Sequence, residues 1–198
     1  MNTLEIMVNG LGAGMEEALQ MTEKAGMEEG LGKKDLPRLR LLAEELFGMI
    51  HSTAGDFKAI YKLEYENRKF ILHLQTDIPD DVIVREQLCS AAINNTSHVK
   101  SFLMKVRNMI IAVLEAENPE FSVGLMSMGS PNGYRIGSAA YSWSLNKYKS
   151  EIENNRSRDM ETGAAWDELE KSIVANLADE VHVDISGLHA EVSIWKSF

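Results

Sequence analysis

The sequence predicts an α+β fold, a two-layer sandwich in which a mostly antiparallel, mixed sheet carries helices on one face. Two segments with period-two alternation, Phe57 to Thr76 and Val181 to Ile194, indicate β-hairpins with one apolar face each. A leucine-rich segment just before the first hairpin has apolar residues at helical spacing. Because each hairpin has only one apolar face, a single layer of helices is enough to cover the sheet.

Length and composition favour one domain. The chain has 198 residues, of which 44% are hydrophobic, which is enough to bury a core without disulfides or a structural metal. The single cysteine, Cys89, cannot form an intrachain disulfide, which favours a reducing compartment. Leu88 and Ala91 flank it in a predicted apolar helix, so we read Cys89 as a small buried hydrophobe. The prediction is a single domain over residues 1–198, with a long irregular insertion around 116–140.

Charge and hydropathy argue against two classes of partner. A formal net charge of -10 opposes binding to nucleic-acid phosphates, and the basic residues Lys100, Lys105 and Arg107 fit the solvated face of a helix. The N-terminal residues resemble no leader peptide, and no apolar run is long enough to span a bilayer. We therefore expect a cytoplasmic protein that binds neither nucleic acid nor membranes.

The N-terminal part of the chain predicts a strand and two helices. Leu4 to Val8 alternate as a short strand, and Ala13 to Glu29 are strong helix formers, although Gly26 weakens the second half. A second helix begins near Asp35, which is a good N-cap, and ends before Gly55. Its apolar stripe consists of Leu39, Leu42, Ala43, Leu46 and Ile50.

The remaining elements follow from alternation and from glycine and proline content. The first hairpin has a turn at Glu66-Asn67-Arg68, and the glycines and prolines between Asn118 and Gly137 favour a loop. The other predicted elements are helices at Val82 to Ala92, Val99 to Glu115, Ala139 to Asn154 and Trp166 to Leu177, followed by the second hairpin.

The order of these elements, with Glu44-Glu45 in the leucine-rich helix and Asp77 after the first hairpin, resembles the histidine-kinase-like ATPase (GHKL, Bergerat-fold) family. The chain looks most similar to small anti-sigma-factor-type members. The resemblance covers Leu36 to Asp81 and Asp167 to Phe198, under half the chain, and depends on element order more than on motifs. It implies a GHKL-type scaffold with a nucleotide site between the long helix and the first hairpin.

The first family motif is a glutamate followed four residues later by a magnesium-binding asparagine. The resemblance implies that Glu45 stands where the family glutamate orients an attacking water, while Met49 replaces the asparagine. A thioether is a poor ligand for a hard cation. The sequence therefore predicts a degenerate nucleotide pocket without its usual magnesium ligand.

The second motif places an aspartate on the adenine amino group, with glycines beside it. Asp77-Ile78-Pro79-Asp80-Asp81 supplies the aspartate but neither glycine, and its extra carboxylates would repel phosphates. For the phosphate-binding loop, Asn94-Asn95-Thr96-Ser97 and Gly129-Ser130-Pro131-Asn132-Gly133 are the candidates, and each also fits a plain cap or turn. The candidate cofactor-binding set is Glu45, Met49, Asp77, Asn94 and Asn95.

Three histidines have one further interpretation. His73, His182 and His189 fall on polar strand faces and could approach one another if the two hairpins are neighbours in the sheet. No carboxylate pattern accompanies them, so we predict no metal site.

Three functions remain open at this stage. The first is a non-catalytic regulatory or protein-interaction module that needs no cofactor and binds another protein or a second copy of itself. The second is an ATP-binding anti-sigma-type serine kinase or ATPase switch, with Glu45 as the orienting group, Asp77 on adenine, and magnesium held by Asn94, Asn95 or Asn108. The third is a small-metabolite-binding domain with the Asn118 to Gly137 loop as its lid.

Overall fold

A computed structural model describes residues 1–51, 58–77, 134–135, 140–155, 172–186 and 189–198. The described strands form one sheet of seven in the order β1-β2-β3-β7-β6-β5-β4. The strands are β1 (Asn2–Asn9), β2 (Lys58–Glu66), β3 (Lys69–Asp77), β4 (Tyr134–Arg135), β5 (Ala140–Ser144), β6 (Glu180–Ser186) and β7 (His189–Ser197). The described helices are α1 (Met15–Glu28), α2 (Asp35–His51), α3 (Leu145–Asn155) and α4 (Ile173–Leu177).

The two predicted hairpins are neighbours in this sheet. The chain makes the first hairpin from β2 and β3 and the second from β6 and β7, and β3 pairs with β7 with Leu72 opposite Ile194. Every pairing between described strands is antiparallel. The α+β class is thus confirmed, and the described sheet is antiparallel where a mixed sheet was predicted.

One apolar core joins the four described helices to one face of the sheet. The strands contribute every second residue, as in Leu63 of β2 and Leu72 of β3, which are fully buried. The helices contribute Ala18, Leu19, Ala25, Leu39, Leu42, Ala43, Leu46, Phe47, Leu145, Tyr148, Ile152, Val174 and Ala175. None of these four helices contributes to the other face, which we call the polar face. It carries the side chains of Glu5, Met7, Lys62, Glu64, His73, Asp77, Glu180, His182, His189, Glu191, Ser193 and Trp195.

The predicted helix over residues 13–29 is confirmed as α1, and Gly26 has a packing role within it. A Cβ at Gly26 would lie 2.6 Å from Leu36 Cδ1 and 3.2 Å from Leu39 Cδ2, so the missing side chain lets α1 approach α2 closely. In contrast, a Cβ at Gly48 of α2 would meet nothing within 4 Å. Packing therefore requires glycine at position 26 but leaves room for a larger residue at position 48.

This contrast gives a stability prediction. We expect Gly26→Ala to lower the free energy of unfolding, since overpacking a core costs about 1–3 kcal/mol. That cost exceeds the gain of about 0.5–1 kcal/mol from alanine in a helix interior. Gly48→Ala has the gain without the cost, so it should raise the free energy of unfolding. Urea denaturation of both variants checks the prediction, and a change of the same sign in both would contradict it.

The first hairpin turns as predicted, because Asn67 and Arg68 both have positive φ, 52° and 60°. Two consecutive residues of this kind define the type I′ turn, whose twist matches that of the strands it joins.

Two predictions are corrected. Residues 140–144 form β5, where a helix was predicted over Ala139 to Asn154, and α3 begins only at Leu145. Tyr141 and Trp143 pair opposite Ile185 and Val183 of β6, so a distant strand decides the structure of this segment. The irregular insertion predicted around 116–140 is also corrected at its end, where Tyr134–Arg135 forms β4.

Other predictions fall on residues that are not described. The helices predicted at 82–92 and 99–115 lie outside the described residues, as do positions 166–171 of the predicted helix that ends in α4. In the part of the chain that is described, no helix combines the length and the apolar character needed to cross a bilayer.

Candidate functional site

Glu45 lies at the border of the buried stripe of α2. Its neighbours Leu46 and Phe47 are buried, and the Phe47 ring packs edge-on against Tyr61 with 5.0 Å between ring centroids. Glu45 itself is half-buried, and this burial, followed by repulsion from the Glu44 carboxylate, raises its pKa above the ordinary value. Glu44 instead accepts a hydrogen bond from Arg40 Nε at 2.8 Å. Glu45 is thus the less solvated carboxyl of the pair.

Of the other residues predicted for the nucleotide pocket, Met49 and Asp77 belong to the described part of the chain. Met49 follows Glu45 by one helical turn in α2, as the i, i+4 spacing requires. Asn94 and Asn95 lie outside the described residues, as does Asn108.

Asp77 is described, and it lies on the polar face. It is the last residue of β3, in which Phe70, Leu72 and Leu74 face the core, so alternation directs Asp77 the other way. Its Oδ1 lies 2.9 Å from Nδ1 of His189 on β7, and its side chain is 90% exposed. The helix that carries Glu45, α2, packs on the opposite side of the sheet from the Asp77 side chain.

The polar face has its own organisation. The strand registers place Glu5 beside Lys62, Lys62 beside His73, and His73 beside Ser193. The same row continues from Ser193 to His182 and from His182 to Ser144. Residues directly opposite on neighbouring strands lie close enough to interact through their side chains. The row therefore joins six strands through polar side chains.

At the centre of this row His73 links β3 to β7. Its Nδ1 lies 2.7 Å from Glu191 Oε1 and 3.2 Å from Ser193 Oγ, and the Ser193 hydroxyl donates to the same Glu191 oxygen at 3.3 Å. The other ring nitrogen, Nε2, is buried and has no hydrogen-bond partner among the described residues. The Glu64 Oε2 atom lies 4.0 Å from this nitrogen.

The negative charge of Glu64 is balanced by Lys62 and not by His73. The Lys62 ammonium group on the same strand forms an ion pair with Glu64 Oε1. This hydrogen bond holds the pKa of the Glu64 carboxyl below its ordinary value and raises the pKa of Lys62. Glu64 is therefore a stable carboxylate, and Lys62 a stable cation, near neutral pH.

The trio of Ser193, His73 and Glu191 contains the residue types of a hydrolase triad but not its geometry. A triad needs the serine on one ring nitrogen and the acid on the other, so that the imidazole can take the serine proton. Here both residues contact Nδ1, and the serine hydroxyl donates to Glu191. This arrangement links two strands and leaves Ser193 without a general base among the residues that the structure describes.

The three histidines do share the polar face. His73 and His182 oppose Ser193 from its two sides, while His182 stacks on Trp195 with 5.0 Å between ring centroids. Among the described residues, no group of three or more His, Cys, Asp or Glu side chains could hold a metal ion. The imidazoles instead have the separate partners named above.

The sequence identified His73, His182 and His189 as polar-face residues, but Trp195 was missed. This indole is 43% exposed, although the residues on either side of it face the core or its margin. Strict alternation from Ala190 onward places position 195 on the polar face, so the signal was present in the sequence.

Comparisons with known proteins identified no relative of this chain. No family model matches the sequence, and neither a curated protein nor a solved structure matches the chain. The resemblance to histidine-kinase-like ATPases therefore stays a prediction from the sequence.

Proposed function

We propose that this chain is a non-catalytic regulatory or protein-interaction module on a GHKL-like scaffold. The position of Asp77 is the main support. A nucleotide site needs its adenine acceptor and its phosphate-side groups on the walls of one pocket. Asp77 is hydrogen-bonded to His189 on the polar face, whereas Glu45 belongs to a helix on the other side of the sheet. These two residues are therefore poorly placed to hold one nucleotide.

The chemistry of the polar face supports the same proposal. On this face Ser193, His73 and Glu191 are hydrogen-bonded to one another. The Ser193 hydroxyl donates to Glu191, so this trio does not activate the serine as a nucleophile. Trp195 exposes much of a large aromatic surface beside His182, and tryptophan is enriched where proteins bind proteins. The proposed partner is another protein or a second copy of the chain, and the proposed activity requires no cofactor.

One observation favours the alternative of an ATP-binding switch. The pKa of Glu45 is raised by burial, and a carboxyl with a raised pKa is a better general base near neutral pH. In that alternative magnesium would be held by Asn94, Asn95 or Asn108. The metabolite-binding alternative depends on a lid at 118–137, of which only residues 134–135 are described.

Thermal unfolding in the presence of nucleotide tests the proposal. A ligand that binds only the native state at one hundred times its dissociation constant stabilises that state by about 2.7 kcal/mol. We expect ATP and ADP, each with and without Mg²⁺, to leave the melting temperature unchanged. A magnesium-dependent rise would contradict the proposal. If that rise then vanished in Glu45→Ala and persisted in the matched control Glu44→Ala, the ATP-binding switch would be the better account.

A further inference from the structure

The polar-face positions of β6 and β7 hold three carboxylates and neither lysine nor arginine. The carboxylates are those of Glu180, Asp184 and Glu191, and the neighbouring strand β5 contributes alanine and serine at the matching positions. The lysine of β7, Lys196, lies on the other side of the sheet, where its Nζ pairs with Asp179 at 2.9 Å. The polar face is therefore acidic over these three strands.

Two of these carboxylates oppose each other across the strands. Asp184 lies directly opposite Glu191 in the pairing of β6 with β7, and like charges at such positions destabilise a sheet. Glu191 is held in place, since its Oε1 lies 2.7 Å from His73 Nδ1 and accepts a hydrogen bond from Ser193 at 3.3 Å. Asp184 is exposed. A cation that contacted both carboxylates would remove their repulsion.

Trp195 adds an exposed aromatic surface to the same two strands. Its indole is 43% exposed and stacks on the His182 ring with 5.0 Å between ring centroids. Ile71, directly opposite on β3, extends the apolar surface and is half-buried. Trp195 follows Glu191 by four residues along β7, which places the two about 13 Å apart. Tryptophan is enriched among the residues that dominate the binding energy between proteins.

We propose that Asp184, Glu191 and Trp195, which we call the docking surface, bind a basic segment of another protein. An arginine of that segment lies between the two carboxylates, and an apolar side chain lies on the indole. Arginine fits because its guanidinium is planar and its fork of N–H groups matches the geometry of carboxylates. A spacing of about 13 Å is within the reach of one short segment.

Charge also distinguishes the two kinds of partner left open for the interaction module. A second copy of this chain that bound through the same surface would bring its own Asp184 and Glu191 against this pair, and like charges across an interface oppose binding. The formal net charge of the chain is -10, so a basic partner is attracted at long range as well. The docking surface therefore favours a different, basic protein.

This inference rests on the proposed interaction module and names the chemistry of its partner. The two can fail separately, because nucleotide titration tests the module while the binding of a basic peptide tests the docking surface.

Fluorescence anisotropy of a labelled peptide tests the charge preference of the full chain. The probe is a peptide of alternating arginine and leucine, and the control probe has glutamate in place of each arginine. We expect the arginine peptide to bind, the glutamate peptide not to bind, and the affinity to fall as salt is added. Binding of neither peptide, or equal binding of both, would overturn the proposal.

Variants of the chain locate the binding. Trp195→Ala and Asp184→Lys should each raise the dissociation constant of the arginine peptide about tenfold or more. Met27→Ala and Glu17→Lys are the matched controls, since they make comparable changes at exposed positions of α1, on the other side of the sheet. We expect the controls to leave the affinity nearly unchanged. Equal losses in variants and controls would mean attraction by net charge alone and would overturn the docking surface.

Sedimentation equilibrium of the full chain examines the other occupant. Trp195 and Asp184 are exposed, so both variants should fold and can be compared with the unmodified chain. We expect the molar mass to be the same for all three. A dimer that dissociates in Trp195→Ala would assign the docking surface to a second copy and would overturn the proposal of a basic partner.

Discussion

Leu42→Ala is expected to lower the free energy of unfolding by about 2–5 kcal/mol, the range observed when a buried leucine is truncated. Leu42 is fully buried in the stripe of α2 that packs on the sheet. The truncation removes apolar contacts and leaves a cavity between α2 and the sheet, because a close-packed core relaxes only partially around a shortened side chain. Urea denaturation measures the loss from the shift of the midpoint at unchanged slope.

Leu11→Ala is the matched control for that experiment. It is the same chemical change at a side chain that is 75% exposed, so the free energy of unfolding should stay within about 0.5 kcal/mol. Equal losses in the two variants would mean that α2 does not pack as described.

Gly14→Ala is expected to destabilise the fold by about 2–5 kcal/mol, through two effects that add. Gly14 has φ +78°, a conformation that costs an L-residue about 1–2 kcal/mol. A Cβ there would also lie 2.1 Å from the backbone oxygen of Met7, and overpacking adds about 1–3 kcal/mol. Because the obstacle is backbone, the contact is relieved only if β1 or the start of α1 moves.

Gly12→Ala separates the two effects. Gly12 has φ +95°, but a Cβ there meets nothing within 4 Å. We therefore expect only the conformational cost of about 1–2 kcal/mol. Thermal or urea unfolding of both variants gives the comparison, and a larger loss in Gly12→Ala would contradict the close approach of Gly14 to β1.

The parts of the fold that were predicted from sequence are those that local patterns determine. The stripe of α2 repeats at helical spacing, and Phe70, Leu72 and Leu74 alternate, so α2 and β3 follow from neighbouring residues alone. β5 could not be found in this way, because Tyr141 and Trp143 are spaced as in a strand within a run that also suits a helix. Pairing with β6, about forty residues away along the chain, decides the outcome.

The candidate site shows the same division. That Asp77 lies on the polar face could be predicted, since it shares the odd positions of β3 with His73 and opposes the buried ones. The contact of His73 with Glu191 could not be predicted, because it depends on the register between β3 and β7. These two strands are far apart in the sequence. Local alternation gives the face of a residue but not its cross-strand neighbour.

The central claim is that Glu45 and Asp77 do not cooperate in binding a nucleotide. Calorimetric titration of the purified chain with ATP in excess Mg²⁺ tests it most directly, because heat of binding is measured without reference to unfolding. We predict no saturable heat. A saturable isotherm with one nucleotide per chain, abolished by Asp77→Ala and by Glu45→Ala, would contradict the claim.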